Sequence, residues 1–335
     1  MTGLSITIVN YHSASLLTDC VESILQFNPN LNAEIIVVDN DSGDDDKEKI
    51  LGMFPNLVWI QMNYNAGFAR ANNEGIRKSK GDVVLLLNPD TLFEDDSITQ
   101  CYQRLLQSKH IGAGVQLLNV DRTPQITGSF FIKGGVNHFL PLPVLGKLFK
   151  WLGTKLKVKK TNVPEAQGEI EVDWINGAFL MVTKTAVEKA GLLDEDFFLY
   201  AEEIEWCSRL LRHGSFCVYG DLHAIHLQGE TANETFGSSG RGYFNLSDKK
   251  GRQIILSNFV RIRKQFGVAW FVFHLLVYLV EIPFFFFTVC WQSLLVGSSK
   301  GYSFSQFKGY CKNLFVVIKH SFTIIRNKPH FYKVL

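Results

Sequence analysis

Apolar residues in the first 120 positions follow two alternating spacings. Short apolar or β-branched runs of strand length occur four times: Leu4–Val9, Glu34–Val38, Leu57–Gln61 and Val83–Leu87. Helical spacing of apolar residues occurs over three segments between and after them: Ser15–Phe27, Gly67–Lys78 and Asp95–Ser108. Strands that alternate with helices predict βαβ units, and hence an α/β fold with a mostly parallel sheet and right-handed crossovers. Ligands bind such sheets beyond the carboxyl ends of the strands.

The pattern is less regular from about residue 119 to residue 171. Within this part, Gly146–Lys160 mixes six lysines with large apolar residues, which fits either a membrane-facing loop or a solvated basic loop. Farther along, Glu169–Thr183 predicts a strand and Glu202–His213 predicts a helix.

The longest apolar stretch is Val268–Val296, in which Glu281 is the only formally charged residue. Its length alone would allow it to cross a bilayer. Glu281 and Pro283 lie near its centre, however, and an acid at mid-bilayer costs about 2.5–3.5 kcal/mol. We therefore expect in-plane or re-entrant helices on an anionic leaflet rather than a true span.

Charge is unevenly divided along the chain, whose net charge is only +2. Residues 248–335 contain 13 Lys/Arg and 2 Asp/Glu, whereas the first 247 residues contain 21 and 30. An acidic body with a basic, apolar tail favours a membrane surface over nucleic acid as the partner. A hydrophobic content of 46% excludes global disorder, and six cysteines without a CxxC pair indicate a reducing, cytoplasmic setting. The first ten residues read as a strand rather than a signal peptide.

Acidic residues follow two of the predicted strands. Asp90, in Asn88-Pro89-Asp90, comes directly after a buried strand and could bind a hard divalent cation that bridges diphosphate oxygens. The same triplet could equally form an Asx/Pro turn. Asp39 ends the second strand and could hydrogen-bond a base or ribose, while the polar residues after it could cap the next helix.

Three other segments contain candidate chemistry. Asn65–Gly75 is rich in small and amide residues, which suits either close approach of a ligand or tight packing of a helix on the sheet. Phe198–Trp206 places three acids in the first turn of a helix, where the helix dipole favours them and where one could accept a proton from a substrate hydroxyl. His226 is either a metal ligand or an ordinary loop histidine. There is no P-loop, and Gly112–Leu117 lacks the third glycine of a dinucleotide-binding fingerprint.

Taken in order, these motifs resemble those of the inverting family 2 glycosyltransferases. The matching segments are Ile6–Tyr11, Val37–Ser42, Asn65–Ala69, Leu87–Asp90, Trp174–Ala178, Glu202–Trp206 and His226–Gly229. The likeness is strongest to the bacterial rhamnosyltransferase-like branch that builds surface polysaccharides, and it covers about residues 4–231.

The resemblance implies a GT-A fold and inverting transfer of a sugar from dTDP-rhamnose or a UDP-sugar. The implied acceptor is a lipid-linked glycan or oligosaccharide in the synthesis of O-antigen, capsule or exopolysaccharide. Residues 1–118 would form the donor-binding half, 119–231 the acceptor-binding and catalytic-base half, and 232–335 a helical membrane-associating region. The protein would work at the cytoplasmic face of the bacterial inner membrane, peripheral or re-entrant through residues 268–296.

The resemblance also implies roles for individual residues. Those matching the donor-binding segments are Asn10, Asp39, Asn65, Gly67, Arg70 and Asn88. Those matching an acceptor-side segment are Trp174, Asn176 and Gly177. Asp90 matches the final acid of the motif that binds Mg²⁺ or Mn²⁺, and His226 matches a histidine that reaches the metal or diphosphate. Glu203 matches the catalytic base, with Glu202 as the alternative.

The sequence departs from the family pattern at two of these positions. Asn88 replaces the first acid of the metal motif, and Glu203 replaces the usual Asp. Both departures leave open a catalytically inactive module that binds a nucleotide-sugar or glycan. A processive polysaccharide synthase is disfavoured because the QxxRW motif is absent and the apolar content is too low for a transmembrane channel. Direct displacement by the acceptor oxygen requires a base opposite the leaving diphosphate and no covalent nucleophile.

Overall fold

The computed structural model describes residues 3–43, 45–227, 238, 245–295 and 301–334. The strands in these residues are β1 Leu4–Asn10, β2 Ala33–Asp39, β3 Val58–Gln61, β4 Val83–Leu87, β5 Thr91–Leu92, β6 Gly112–Leu118, β7 Gly128–Ser129, β8 Glu169–Val172, β9 Trp174–Ile175, β10 Phe179–Thr183 and β11 Phe216–His226. The helices are α1 Ala14–Phe27, α2 Asp45–Met53, α3 Gly67–Lys78, α4 Ser97–Gln107, α5 Leu145–Lys155, α6 Lys184–Ala190, α7 Glu202–Leu210, α8 Lys249–Phe266, α9 Val268–Leu295 and α10 Phe304–Ile325, with a short 3₁₀ segment at Lys133–Phe139.

Nine of the described strands form one mixed sheet. Its order is β3-β2-β1-β4-β10-β6-β11-β5, and β8 pairs with β11. The first four strands in this order are parallel, whereas β10 lies antiparallel between β4 and β6. The expected α/β class is therefore confirmed. The parallel arrangement that local patterns predict holds for the β1–β4 part.

The chain divides into two compact units. The first comprises residues 1–130, 162–198 and 202–231 and contains the sheet; the second comprises residues 131–161, 199–201 and 232–335 and is helical. The short apolar strands build the core of the first unit because alternate residues face opposite sides of the sheet. Ile6 and Ile8 belong to one apolar cluster with Leu17 of α1, and Val38 forms another with Ala71 of α3.

The predicted strand Glu169–Thr183 is interrupted in the structure. It divides into β8, β9 and β10, because residues 176–179 form a turn in which the Asn176 Oδ1 accepts from the Ala178 amide at 2.9 Å. The Asn176 carbonyl also accepts from the Phe179 amide at 3.2 Å. This turn delivers the start of β10 beside the end of β4, where Phe179 pairs with Leu87.

The second unit differs from the predicted pattern in two places. Most of Gly146–Lys160 is helical, in α5, rather than a loop. The long apolar stretch forms the single helix α9, which continues through Pro283. By length and composition, Val268–Leu294 is the one candidate membrane span among the described residues, with a mean hydropathy of 2.0.

Helix α9 packs on one face only. Its buried residues recur every three or four positions: Phe271, His274, Tyr278, Glu281, Phe285 and Val289. Glu281 is fully buried and accepts from the amides of Val144 and Leu145 at 2.7 and 2.9 Å. These amides are at the start of α5 and have no partner within that helix, so the carboxylate acts as the cap of α5.

Candidate active site

The polar ends of neighbouring strands meet at one edge of the sheet. Asn10 pairs with Asp39 between β1 and β2, and Asp39 pairs with Gln61 between β2 and β3. On the other side of β1, Ile8 pairs with Leu87, so Asn88–Asp90 continues beyond β4 at the same edge. The expected location of the site, beyond the carboxyl ends of the strands, is where these side chains lie.

Asp39 is fully buried and bound by three donors. Its carboxylate accepts from the Asn10 Nδ2 at 2.8 Å, from the Gln61 Nε2 at 2.8 Å and from the Ser42 amide at 2.9 Å. Asn10 also donates to the Ser42 Oγ at 3.1 Å. Buried carboxylates require such partners, and these bonds fix the loop after β2 against the end of β1. Gln61 was not among the residues predicted from sequence.

Asn40 organises the turn that begins α3. Its side-chain oxygen accepts from the Ala66 amide at 2.7 Å, and its Nδ2 donates to the Asn65 Oδ1 at 3.1 Å. The Asn65 Oδ1 accepts in turn from the Gly67 amide at 3.1 Å. Asn40 is another positioning residue that motif analysis did not single out, although it lies directly after Asp39.

The backbone conformation and the close neighbours of residue 67 require a glycine there. Its φ is +75°, a conformation that favours glycine, and an added Cβ would lie 2.1 Å from the Phe198 carbonyl oxygen. The Phe68 amide donates to that same carbonyl at 2.8 Å. The small residue therefore lets the start of α3 contact the segment that precedes α7.

The rest of α3 is tied to the same segment. Arg70, a predicted donor-binding residue, donates from Nε to the Glu195 carbonyl at 3.0 Å. Asn73 exchanges bonds of 2.9 and 3.0 Å with the Leu193 backbone. Burial acts to raise the pKa of Glu195, but bonds from Arg77 and Asn73 outweigh it and hold that pKa below its ordinary value. Farther along α3, Gly75 packs tightly on Thr7, so some of the small residues here serve packing.

Asp90 and His226 come together through strand pairing. The final residue of β11, His226, pairs with Thr91 of β5. As a result the His226 Nε2 lies 3.3 Å from the Asp90 Oδ1, and both residues are buried. The Asn88 Nδ2 lies 3.4 Å from the same Nε2. His226 is thus a strand residue beside the predicted metal acid rather than a loop histidine.

Gln125 sets the orientation of the His226 ring. Its Nε2 donates to the His226 carbonyl at 2.7 Å and to the Asn119 Oδ1 at 2.9 Å, which leaves its Oε1 facing the His226 Nδ1 at 2.9 Å. The ring therefore donates from Nδ1, so that in the neutral imidazole the lone pair is on Nε2, the nitrogen that faces Asp90. Metal-binding histidines are held by this kind of bond. Gln125 lies in none of the recognised motifs, so sequence reasoning did not identify it.

These two side chains suit a divalent cation. A carboxylate oxygen and an imidazole nitrogen converge in a buried place, which is a suitable partial ligand set for Mg²⁺ or Mn²⁺ completed by substrate oxygens. The thiol of Cys20, which donates to the Asn88 carbonyl at 3.8 Å, is not a nucleophile here. Burial, with Asp90 nearby, raises its pKa well above the ordinary value, so it stays protonated.

Of the three predicted acceptor-side residues, Trp174 lies in β9 of the small β7–β9 sheet, and Asn176 and Gly177 follow it. Trp174 pairs with Ser129, and the Asn176 amide donates to the Thr127 carbonyl at 2.8 Å. The Ala178 carbonyl accepts from the Asn88 amide at 3.1 Å, so this turn adjoins the metal motif. A Cβ added to Gly177 would lie 3.3 Å from the Phe68 ring and 3.7 Å from the Glu203 Cβ. Gly177 therefore lies between the start of α3 and the predicted base.

The three acids at the start of α7 have different surroundings. Glu205 is buried and its carboxylate accepts from the Arg209 guanidinium at 2.9 Å. Glu202 is also buried, at 2% exposure. Glu203 is partly exposed and adjoins Gly177. Of the three, Glu203 has the access to solvent that an incoming hydroxyl would need.

The backbone just before α7 is in an uncommon conformation. Tyr200 and Ala201 have φ of 71° and 68°, which for residues other than glycine costs about 1–3 kcal/mol each. Such outliers occur where the surrounding structure fixes a functional group. Here they determine how α7 begins, and so the direction of the first acids.

A second group of potential ligands lies elsewhere on the sheet. His110, Glu169 and Cys217 have ligand atoms within 4.8 Å of one another, near the start of β11 rather than at its His226 end. Both ring nitrogens of His110 already have protein partners, Glu169 at 2.9 Å and Ser215 at 2.7 Å. Burial raises the pKa of Cys217 to about 11, so its thiol is protonated. We interpret this group as a structural cluster.

Comparison with known proteins agrees with this geometry. Residues 5–139 match the family model for glycosyl transferase family 2, a range that includes the ends of β1, β2 and β4. The chain contains a family 2 glycosyltransferase domain. The resemblance drawn from its motifs is thereby confirmed, and the family 2 domain includes Asn10, Asp39 and Asp90.

Two relatives and one structure extend the comparison. The chain is 30% identical over 218 residues to the low-salt glycan biosynthesis hexosyltransferase Agl10 of Haloferax volcanii, covering 63% of this chain and 62% of that protein. It is 27% identical over 203 residues to the rhamnosyltransferase WbbL of Escherichia coli K12, covering 57% and 73%. The crystal structure of GalNAc-T7 with UDP, GalNAc and Mn²⁺ aligns with a TM-score of 0.50 and 14% identity, covering 81% of this chain and 56% of that one. At this identity the likeness concerns the fold alone, and it confirms the expected GT-A class.

Two residues of the family-like segment, Gln228 and Gly229, follow His226 and lie outside the described residues. The roles predicted for the donor, acceptor and base residues rest on position and surroundings.

Proposed function

We propose that the protein is an inverting glycosyltransferase that moves a sugar from a nucleotide-sugar to a glycan acceptor by direct displacement. The observation that supports it most is the buried pair formed by the Asp90 Oδ1 and the His226 Nε2, 3.3 Å apart at the carboxyl edge of the sheet. Family 2 membership gives the reaction class, and this pair supplies the ligands that the class requires.

In the proposed mechanism, Asp90 and His226 would hold Mg²⁺ or Mn²⁺. When bound, the cation would offset the negative charge of the leaving nucleotide diphosphate. Asn10 and Asp39, with the turn at Asn65 and Gly67, form the part of the edge assigned to the nucleotide. Arg70 and Asn88 complete the set of donor-binding residues.

Glu203 acts as the base in this proposal. Its carboxylate takes the proton from the acceptor hydroxyl as the acceptor oxygen attacks the anomeric carbon. Its position beside Gly177 supports this role, because Trp174, Asn176 and Gly177 are assigned to the acceptor. Glu202, buried in the same turn, is the alternative base.

The proposed substrates and location follow from the relatives and from charge. The rhamnosyltransferase relative favours a rhamnosyl donor, and the hexosyltransferase relative keeps another hexosyl donor as the alternative. The motif resemblance gives these donors as dTDP-rhamnose and a UDP-sugar. We infer a lipid-linked acceptor in bacterial surface polysaccharide synthesis, handled at the cytoplasmic face of the inner membrane. The basic, apolar C-terminal region, including residues 268–296, supports this location.

Calorimetric titration of the purified protein tests the donor site. UDP, dTDP and GDP are each added with Mn²⁺ and with EDTA, and we expect one nucleotide to bind only when Mn²⁺ is present. Asp90→Asn should abolish the metal-dependent part of this binding. Asp221→Asn is the matched control, because this exposed carboxylate pairs with Arg104 and adjoins none of the proposed ligands.

The outcomes distinguish the proposal from its main competitor. Metal-dependent binding followed by sugar transfer to an extracted lipid-linked acceptor supports the enzyme. Binding without transfer for any donor would favour an inactive nucleotide-sugar or glycan-binding module. Metal-dependent binding that survives Asp90→Asn would contradict the assignment of Asp90.

A further inference from the structure

The second unit exposes large apolar side chains along α9. The exposed side includes Leu276, Phe287, Trp291 and Leu294, which are between 55% and 82% exposed. The opposite side of the same helix is the packed stripe that contains Tyr278 and Glu281. Exposed apolar surface of this extent on one face indicates an interaction site rather than scattered surface residues.

Basic residues far outnumber acidic ones in the same unit. Residues 199–201 and 232–248 contain one Arg and two acids, Glu234 and Asp248, whereas residues 131–161 and 249–335 together contain 20 Lys/Arg and a single Asp/Glu, Glu281. That carboxylate is fully buried and bonded to the first amides of α5. No Asp or Glu side chain is therefore exposed among the described residues of these two stretches. The surface is complementary to a negatively charged partner.

Helix α5 combines both properties within a few turns. Lys147 and Lys150 are exposed, and so are Leu148 and Trp151 between and beside them. Lysines flanked by exposed apolar and aromatic residues are typical of helices that lie at a lipid interface, where the stems are buried and the ammonium groups reach the headgroups. A polynucleotide would bind the lysines alone, so it would not account for the exposed apolar face.

The packing of α9 against α10 limits the orientations in which α9 can contact a bilayer. Ring pairs Phe286–Phe304, Phe285–Phe307 and Tyr278–Tyr310 show that α10 runs antiparallel beside the middle of α9. Lys308 and Lys312 of α10 are exposed along this same stretch. If α9 crossed the membrane in this arrangement, both ammonium groups would lie within the hydrocarbon, where lysine is strongly disfavoured.

The buried face also holds α9 in place by polar bonds. The Tyr278 hydroxyl donates to the His138 carbonyl at 3.0 Å, and the His274 Nε2 bonds the Gly134 carbonyl at 2.8 Å. Together with Glu281, these bonds connect α9 to the 3₁₀ segment and to α5. Release of α9 into the bilayer as a separate span would leave these groups without partners.

We propose that the second unit docks on an anionic phospholipid bilayer in the plane of the membrane, with the exposed face of α9 inserted at the headgroup–acyl boundary and the lysines of α5 and α10 at lipid phosphates. The bilayer is not crossed. This inference rests on the proposed function and specifies the membrane surface that the protein binds. Vesicle binding needs no sugar transfer, so its failure would leave the proposed reaction intact.

Vesicle co-sedimentation with the full chain tests the surface. We expect binding to vesicles that contain phosphatidylglycerol and little binding to phosphatidylcholine alone. Replacement of Lys147, Lys150 and Lys155 by Gln should weaken binding by about 5-fold for each lysine. The matched control replaces Lys47, Lys49 and Lys80 of the first unit by Gln and should bind as the wild type does.

A second set of variants tests the apolar face. Replacement of Phe287, Trp291 and Leu294 by Ser should abolish sedimentation, whereas the same change at Leu25, Met53 and Leu106 in the first unit should not. An unchanged far-ultraviolet circular dichroism spectrum and an unchanged thermal unfolding temperature show that each variant is folded. Undiminished sedimentation of the α9 variant, or a stable dimer in solution that removes its exposed face, would overturn the proposal.

Topology requires its own readout. Carbonate at high pH should release the wild-type protein from phosphatidylglycerol vesicles, because in-plane binding depends on lysine charge and shallow insertion. A carbonate-resistant fraction would show that α9 crosses the bilayer and would overturn the in-plane arrangement. Binding to DNA or RNA in preference to phosphatidylglycerol would likewise assign the basic surface to another partner.

Discussion

Carboxylates have different surroundings in the sheet of the first unit and in two stretches of the second unit, residues 131–161 and 249–335. Outside residues 131–161 and 249–335, the chain contains 31 Asp/Glu, and several of these lie buried or half-buried at the carboxyl edge of the sheet. Within those two stretches there is one, Glu281, and it is used to cap a helix. The comparison shows that the acids differ in their position in the fold. Those proposed for chemistry lie at or after the ends of strands or at the start of α7, whereas the acid within an apolar helix bonds backbone amides and has a structural role.

The largest expected effect concerns the base. Glu203→Gln keeps the shape of the side chain but removes its ability to accept a proton, so kcat for sugar transfer should fall by about 10²–10⁴-fold. Metal-dependent nucleotide binding, measured by calorimetry, should be unaffected because the donor ligands are unchanged. Full activity in Glu203→Gln together with an inactive Glu202→Gln variant would transfer the role to Glu202.

The next effect tests how the metal ligand is oriented. Gln125→Leu removes the acceptor of the His226 Nδ1 proton, and Mn²⁺ affinity should fall by about 10–100-fold. Gln125→Glu retains an acceptor at that point and should restore part of the affinity. Electron paramagnetic resonance of free Mn²⁺ measures both.

A double-mutant comparison isolates this effect. In a His226→Ala background, Gln125→Leu should have no further effect on Mn²⁺ affinity, because its action passes through the ring. An additive loss in the double variant would show that Gln125 acts by another route.

The smallest effect is expected in the second unit. Glu281→Leu removes the acceptor of the Val144 and Leu145 amides and should weaken the start of α5 by about 0.5–2 kcal/mol. Faster hydrogen exchange at these amides measures the change, and Glu281→Gln, which keeps an acceptor oxygen, should change it less. Nucleotide binding should be unaltered. Loss of nucleotide binding in Glu281→Leu would contradict the interpretation that this acid has only a structural role.

Sequence patterns identified the parts of the site that have local signals. Asp39 ends an apolar strand, Asp90 lies shortly after another, and Gly67 belongs to a segment rich in small residues, so each could be selected from its neighbours in the chain. Gln125 and Asn40 could not, because their importance comes from a bond to a ring or a turn that only the folded chain brings near. Asn40 at least follows directly after Asp39, whereas Gln125 has no such signal.

The same limit applies to the fold. The βαβ pattern predicted β1 to β4 because hydrophobic spacing is local. The antiparallel entry of β10 between β4 and β6 depends on pairing between distant segments, for which spacing gives no indication. Helix α5 was predicted as a loop because its lysines dominated the pattern, although Leu148 and Leu152 recur at helical spacing.

Because β5 pairs with β11, the proposed cation site can assemble only late in the synthesis of the chain. Asn88 and His226, whose side chains lie 3.4 Å apart, are separated by 138 positions in the chain. During synthesis the ribosome releases Asp90 long before His226 exists, and long-range strand pairing is among the slow events of folding. The two proposed ligands therefore meet only when β11 has joined the sheet. A nascent or truncated chain holds half of the cation site, so cation capture would mark the completion of the sheet.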